Sequence, residues 1–153
     1  MTDQARGALW FMKGRVSIEV SQVDSEDGVS VIMHEVPSGD GPPLHVHRAE
    51  DEIFFVVEGE LKLKLGDETL LAGPGRSLLI PRGVPHAYKV MSAGNARFLT
   101  MTRGGFENLV RESSRPAEGE GLPAFAEPTP EQQEALAKIA SANGVDMVGP
   151  PLE

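Results

Sequence analysis

The chain has no cysteine at all, which excludes disulfides and leaves no thiol from which to read a redox compartment. Aromatic residues are scarce: one Trp and one Tyr accompany six Phe, so the interior has to be built mainly from Val, Leu, Ile and Phe. No run approaches the roughly 18 consecutive apolar residues that a membrane helix needs. The apolar part of residues 1–13 is too short for a signal peptide. Positive charge is in deficit, with 14 Lys and Arg against 23 Asp and Glu and a formal net charge of −9. Such a surface repels a phosphate backbone, so nucleic acid is not an expected partner. With these classes set aside, the default is a cytoplasmic protein.

At 153 residues the chain suits one domain, large enough to bury roughly 68–70% of its unfolded surface. Glycine and proline are plentiful, 17 and 12, without a triplet period. Apolar runs interrupt them throughout, which fits short strands joined by tight turns.

Three of the four histidines fall in two neighbouring segments. His45 and His47 are two apart, so an extended strand carries both imidazoles on one face. Glu52 follows a charged corner, Arg48 to Asp51, at the head of the apolar run Ile53 to Val57. A hairpin of facing strands would bring this carboxylate to the imidazoles. Gly75 to His86 forms a second strand-and-turn unit that supplies a third imidazole. Three neutral nitrogens and a carboxylate oxygen suit a borderline divalent metal and leave two octahedral positions open. Fe or Ni is favoured, and Mn, Zn, Cu or Co fits the same ligands.

Gly39, His45, His47, Glu52 and Gly59 match the cupin motif G-x5-H-x-H-x4-E-x6-G. Gly75, Pro81, Gly83 and His86 match the second cupin motif, G-x5-P-x-G-x2-H-x3-N, with Val90 where that motif has Asn. Residues 60–74 separate the two, close to the shortest spacing of the family. The chain therefore resembles the cupin superfamily over residues 39–90, and flanking strands extend the likeness to about residues 15–103. The run P-P-L-H-V-H and the following D-E-I-F-F-V-V-E-G-E look most like small bacterial cupins of the quercetin-dioxygenase-like group. The resemblance implies an all-β double-stranded β-helix, a jelly-roll barrel, with metal ligands His45, His47, Glu52 and His86. It also implies a metal-dependent dioxygenase acting on a small aromatic, flavonol-like or enol/diol substrate, with Glu52 as the base. Two other readings use the same shell: an isomerase, cyclase or hydrolase that needs no O2, and a non-enzymatic small-molecule-binding cupin. Single-domain cupins commonly pair, so a homodimer formed by arm and tail is expected.

The remaining expectations follow chain order. Residues 1–14 read as an arm whose Trp10 plugs a barrel end or subunit contact, or closes a substrate mouth. Residues 15–103 are the barrel, with about nine short strands at the spacing of an antiparallel sandwich. Val16, Ile18 and Val20 alternate with polar residues on a half-buried strand. His34 reads as a structural or surface residue, and an inward Glu35 would need a partner. Residues 52–58 and 61–65 are expected to form a hairpin about Gly59. Strand parity places Phe54 and Val56 on Glu52's face and Tyr88 on that of His86, which makes these three the candidate substrate contacts in an apolar cavity. Residues 104–153 form an extension with a helix at about 130–143, marked by Thr129, Pro130 and Gln132, and a tail folded back on the barrel.

Overall fold

The computed structural model describes residues 7–153; the part of the expected arm before Gly7 lies outside them. β1 (Leu9–Phe11) and β2 (Gly14–Val20) form a hairpin, followed by β3 (Ser30–Val36), β4 (Pro43–His47) and β5 (Glu52–Glu58). Then come β6 (Leu61–Leu65), β7 (Glu68–Ala72), β8 (Ser77–Ile80), β9 (His86–Val90) and β10 (Ala96–Thr102). The C-terminal part carries α1 (Phe106–Ser113), β11 (Arg115–Pro116), α2 (Pro130–Ala142) and β12 (Val145–Pro151).

These strands make two antiparallel sheets, one ordered β11-β1-β2-β3-β10-β5-β8 and the other β12-β4-β9-β6-β7. Alternation of buried and open positions along β3, β5 and β10 leaves each with one inward face. Two clusters fill the space between the sheets. One is built around Phe54, Val56, Leu61, Leu63 and Phe98. The other joins Val16, Ile18 and Ile32 to Phe106, Leu109 and Val110 of α1 and to Ala140 of α2. The architecture is a jelly roll closed at one end by the two helices.

Several local expectations change. The strands 52–58 and 61–65 do not form a hairpin: β5 pairs with β10 and β8, and β6 with β7 and β9, so the turn at Gly59 crosses from one sheet to the other. Gly59 has φ +85°, and a Cβ there would crowd Ala96 and Ser92, so only glycine turns the chain there without strain. Val20 does not continue the inward face of Val16 and Ile18. The register shifts between Ile18 and Val20, Val20 turns outward at 41% exposure, and buried Ser21 takes the inward place. Its hydroxyl donates to Glu107 Oε2 at 2.8 Å. On β3 the inward set is Ile32, His34 and Val36, so Glu35 lies on the outer face, where Asn95 Nδ2 donates to it at 3.1 Å. Val90, in place of the motif's Asn, is 1% exposed and fills the core.

The extension is woven into both sheets. β11 pairs with β1, and Trp10 donates to the Gly121 carbonyl at 3.1 Å, with the Arg115 guanidinium 5.2 Å from its ring. α2 starts on the expected capping box: Gln132 N donates to Thr129 Oγ1 at 3.1 Å and Thr129 N to Gln132 Oε1 at 2.9 Å. Asn143 caps its C-terminus. The tail is a full strand, β12, on the edge of β4.

Candidate metal centre

The site is assembled across the barrel. β4 and β9 are neighbours in the smaller sheet, where His45 stands opposite His86 with ring centroids 4.2 Å apart. His47, two positions on, projects to the same side, as the period of a strand requires. Glu52 opens β5 in the other sheet, opposite Ile80. The carboxylate thus reaches the imidazoles from the facing layer, where the sequence had suggested a hairpin partner. One ligand atom from each of His45, His47, Glu52 and His86 lies within 4.8 Å of all the others. Ligand bonds of about 2.1 Å space donor atoms about 3–4.3 Å apart around one ion, so a small contraction closes this set.

Each imidazole is fixed at its other nitrogen. His45 Nδ1 donates to the Pro43 carbonyl at 2.8 Å and His86 Nδ1 to the Val84 carbonyl at 3.0 Å. His47 Nδ1 meets Glu50 Oε1 at 3.2 Å. A proton held on Nδ1 leaves the Nε2 lone pair facing the centre, the tautomer that metal ligation requires. His47 Nε2, His86 Nε2 and Glu52 Oε1 are buried without a hydrogen-bond partner. The two nitrogens stand 3.8 and 3.3 Å from that oxygen. Leaving such atoms unsatisfied costs about 1–3 kcal/mol each. A cation among them removes that cost, and the donor set fits a divalent metal.

The electrostatics point the same way. Burial, reinforced by His86, pushes His45 down to about 3, so this ligand stays neutral. Burial would raise the Glu52 pKa, but the imidazoles of His47, His86 and His45 outweigh it and hold the carboxyl at about 2. Burial pulls His47 down, yet the carboxylates of Glu52 and Glu50 together hold it above the ordinary histidine value.

The corners around the ligands are tied down. Arg82 donates to Asp51 Oδ1 from its backbone at 2.9 Å and from Nε at 3.2 Å, and Gly83 N donates to the His47 carbonyl at 2.8 Å. Arg48 bridges Asp146 and the Ser141 carbonyl, joining the ligand corner to α2 and β12.

Of the candidate substrate contacts, Phe54 and Val56 are almost fully buried at 2% and 0%. Phe54 stacks on Phe98 at 5.3 Å and meets Tyr88 edge-on at 5.7 Å. Tyr88 lines a cleft between the β1–β2 hairpin, residues 40–42 and β3. The enclosed volume of that cleft is about 20 Å³, room for about one water. Burial, with the charges of Asp40 and Glu52, pushes the Tyr88 phenol well above its ordinary value, so it stays protonated. His34 is no ligand: it is buried, bonded to Thr100 Oγ1 at 2.8 Å and stacked on Phe98 at 4.9 Å.

Sequence reasoning missed Glu50 and Phe106. Glu50 is 5% exposed and sits where Gly104 leaves no room for a Cβ; an acidic residue three after a ligand histidine was its one visible signal. The ring of Phe106 lies 5.5 Å from that of His47, a contact over 59 residues of sequence that no local pattern announces.

Residues 31–102 match the family described as the cupin domain. Quercetin 2,3-dioxygenase of Bacillus subtilis (strain 168) is 31% identical over 101 residues, 65% of this chain and 30% of that protein. The chain thus spans about a third of that relative's length. The oxalate decarboxylase–formate complex of Lactobacillus farciminis shares the fold with a TM-score of 0.58 at 19% identity, over 67% of this chain and 32% of that one. The cupin domain of Schizosaccharomyces pombe Cnp3 gives 0.54 at 16% identity, over 65% and 71%. Fold, motifs and the family match over residues 31–102 agree: this chain is a small cupin, and it resembles the quercetin dioxygenases.

Proposed function

We propose that the protein is a metal-dependent dioxygenase acting on a small aromatic, flavonol-like or enol/diol substrate. His45, His47, Glu52 and His86 would hold the ion, with Fe or Ni favoured. The observation that carries this reading is the trio of buried, partnerless atoms, His47 Nε2, His86 Nε2 and Glu52 Oε1. The activity printed for the Bacillus relative supports the choice of reaction. A bound divalent ion supplies a Lewis acid that lowers the pKa of a substrate hydroxyl and a redox centre that engages O2.

The protein's own groups do the rest. Glu52 is ionised and can accept the hydroxyl proton as substrate binds. An enol or phenol hydroxyl, whose acidity a bound ion would raise, is the proton source this base would serve. Phe54 and Val56, on the inward face of β5 that Glu52 opens, would give the substrate side of the centre an apolar background. Tyr88, protonated and two residues from His86 on β9, would offer its hydroxyl to a substrate oxygen.

The test is oxygen uptake by protein loaded in turn with Fe, Ni and Mn, on a panel of flavonols, enols and catechols. Uptake should require metal and fall at least about 100-fold in Glu52→Gln. Fully loaded protein that consumes no O2 on any of them overturns the dioxygenase reading. Anaerobic turnover would then indicate the isomerase or cyclase, and saturable binding without turnover the binding protein.

A further inference from the structure

The buried charge around the ligand set is of one sign. Among the described residues the buried carboxyl groups are those of Glu50, Glu52 and Glu107, and no lysine or arginine is buried. Glu107 has its own partners: it accepts from Arg111 Nε at 3.0 Å, from Ser21 Oγ and from the Gln22 amide. Glu50 and Glu52 face imidazoles instead. His47 Nδ1 stands 3.2 Å from Glu50 Oε1, and the Nε2 atoms of His47 and His86 stand 3.8 and 3.3 Å from Glu52 Oε1.

Glu50 does more than the tautomer of His47 requires. At His45 and His86 a neutral backbone carbonyl, of Pro43 and of Val84, fixes Nδ1, and a third carbonyl would serve His47 as well. The chain places a carboxylate there, 5% exposed, and keeps the residue after β10 and Arg103 bare to admit it: a Cβ on Gly104 would collide with Glu50 Oε2. A second buried negative charge costs free energy unless positive charge meets it.

We propose that Glu50 sets the charge of the centre, so that a divalent ion held there accepts neutral ligands and turns anions away. The inference rests on the metal-centre reading and names the form in which its substrate arrives. Two buried carboxylates and a doubly charged ion sum to zero when the histidines ligate in their neutral form. An enol or phenol enters without changing that sum. When Glu52 takes its proton, the substrate O–H bond breaks and the carboxyl O–H bond forms within the same pocket, so the total holds. A ligand that arrives ionised, such as azide or a carboxylate, adds a charge that no buried lysine or arginine offsets. The substrate class narrows to hydroxyl compounds that bind as neutral acids.

Titration of the full chain loaded with Co tests it, azide and pyridine being followed at one pH through the visible absorption of the ion. Metal content and circular dichroism confirm loading and fold. Wild type should bind pyridine in preference to azide. Glu50→Gln keeps an oxygen to accept from His47 Nδ1 and removes the charge. It should tighten azide by on the order of 10-fold or more and leave pyridine within about 2-fold. Asp51→Asn removes a carboxylate from the same corner, one whose side chain is 48% exposed, and should move neither ligand because solvent screens it. Wild type that prefers azide overturns the proposal whatever the variants do. So does a loaded Glu50→Gln whose azide affinity is unchanged or shifts in step with that for pyridine, as a purely positioning role would have it. Those results leave the metal centre standing, whereas a chain that takes up no Co overturns the centre and this inference with it.

Discussion

Glu50 owes its importance to what it does for another residue. Its carboxylate holds His47 Nδ1 at 3.2 Å and so decides which nitrogen faces the centre. Losing such an outer partner typically weakens metal affinity 10–100-fold. Glu50→Ala should do so for Ni or Fe in a competition titration with a chromophoric chelator, while far-UV circular dichroism stays unchanged. His34 yields a prediction of a different kind. Burial pushes it down to about 4 from 6.5, with Glu52 opposing, so the folded protein keeps it neutral while the unfolded chain protonates it near 6.5. Stability is therefore full above about pH 6.5 and declines as pH falls toward 4, by on the order of 3 kcal/mol for this residue. In His34→Gln, which retains a polar side chain opposite Thr100, the urea midpoint of the metal-free protein should fall less steeply between pH 6.5 and 4.

Among the elements, β12 matters beyond its length. It pairs with β4 so that Val145 stands opposite His47 and Met147 opposite His45, and it covers what would otherwise be the open edge of the ligand strand. Val145 is 1% exposed and belongs to the cluster under the helices. Ending the chain after Gly144 should cost about 3 kcal/mol or more, from lost Val145 and Met147 burial and from lost pairing. It should also loosen the metal, seen as faster release to EDTA. α2 offers a milder control. Thr129→Ala removes one cap and should cost about 1 kcal/mol in chemical unfolding, with little effect on metal retention.

For the whole molecule, metal and proton compete for one place. His47 is held above the usual histidine range by Glu52 and Glu50, which outweigh its burial. Metal binding displaces that proton, so affinity should rise with pH until His47 has lost it and then level off. An ion present at about 100 times its dissociation constant adds about 2.7 kcal/mol of stability. EDTA should accordingly lower the melting temperature by several degrees at pH 8 and by less at pH 5.5.

How much of this was legible in the sequence follows from how local each signal is. His45 and His47 share a face because of strand period alone, and the turn at Gly83 requires a positive φ of +80° that glycine supplies, so motif spacing and chemistry coincide. Thr129, Pro130 and Gln132 cap α2 through contacts within four residues. The His45 and His47 pair, the nine barrel strands and the C-terminal helix could therefore be read from residues near one another in the chain, while the full ligand set rested on the match to the two cupin motifs. The sheet to which each strand belongs could not. Whether β5 continues with β6 or crosses the barrel depends on what packs beneath both, and the bulge that turns Val20 outward depends on Ser21 meeting Glu107 86 residues away. Phe106 against His47, Gly104 against Glu50 and β12 against β4 belong to the same class. Which atoms can bind a cation follows from residue type and strand period, both of them local. That the carboxylate arrives from the opposite sheet and that the tail closes the ligand strand emerges on folding alone, because burial shared among distant segments sets both outcomes.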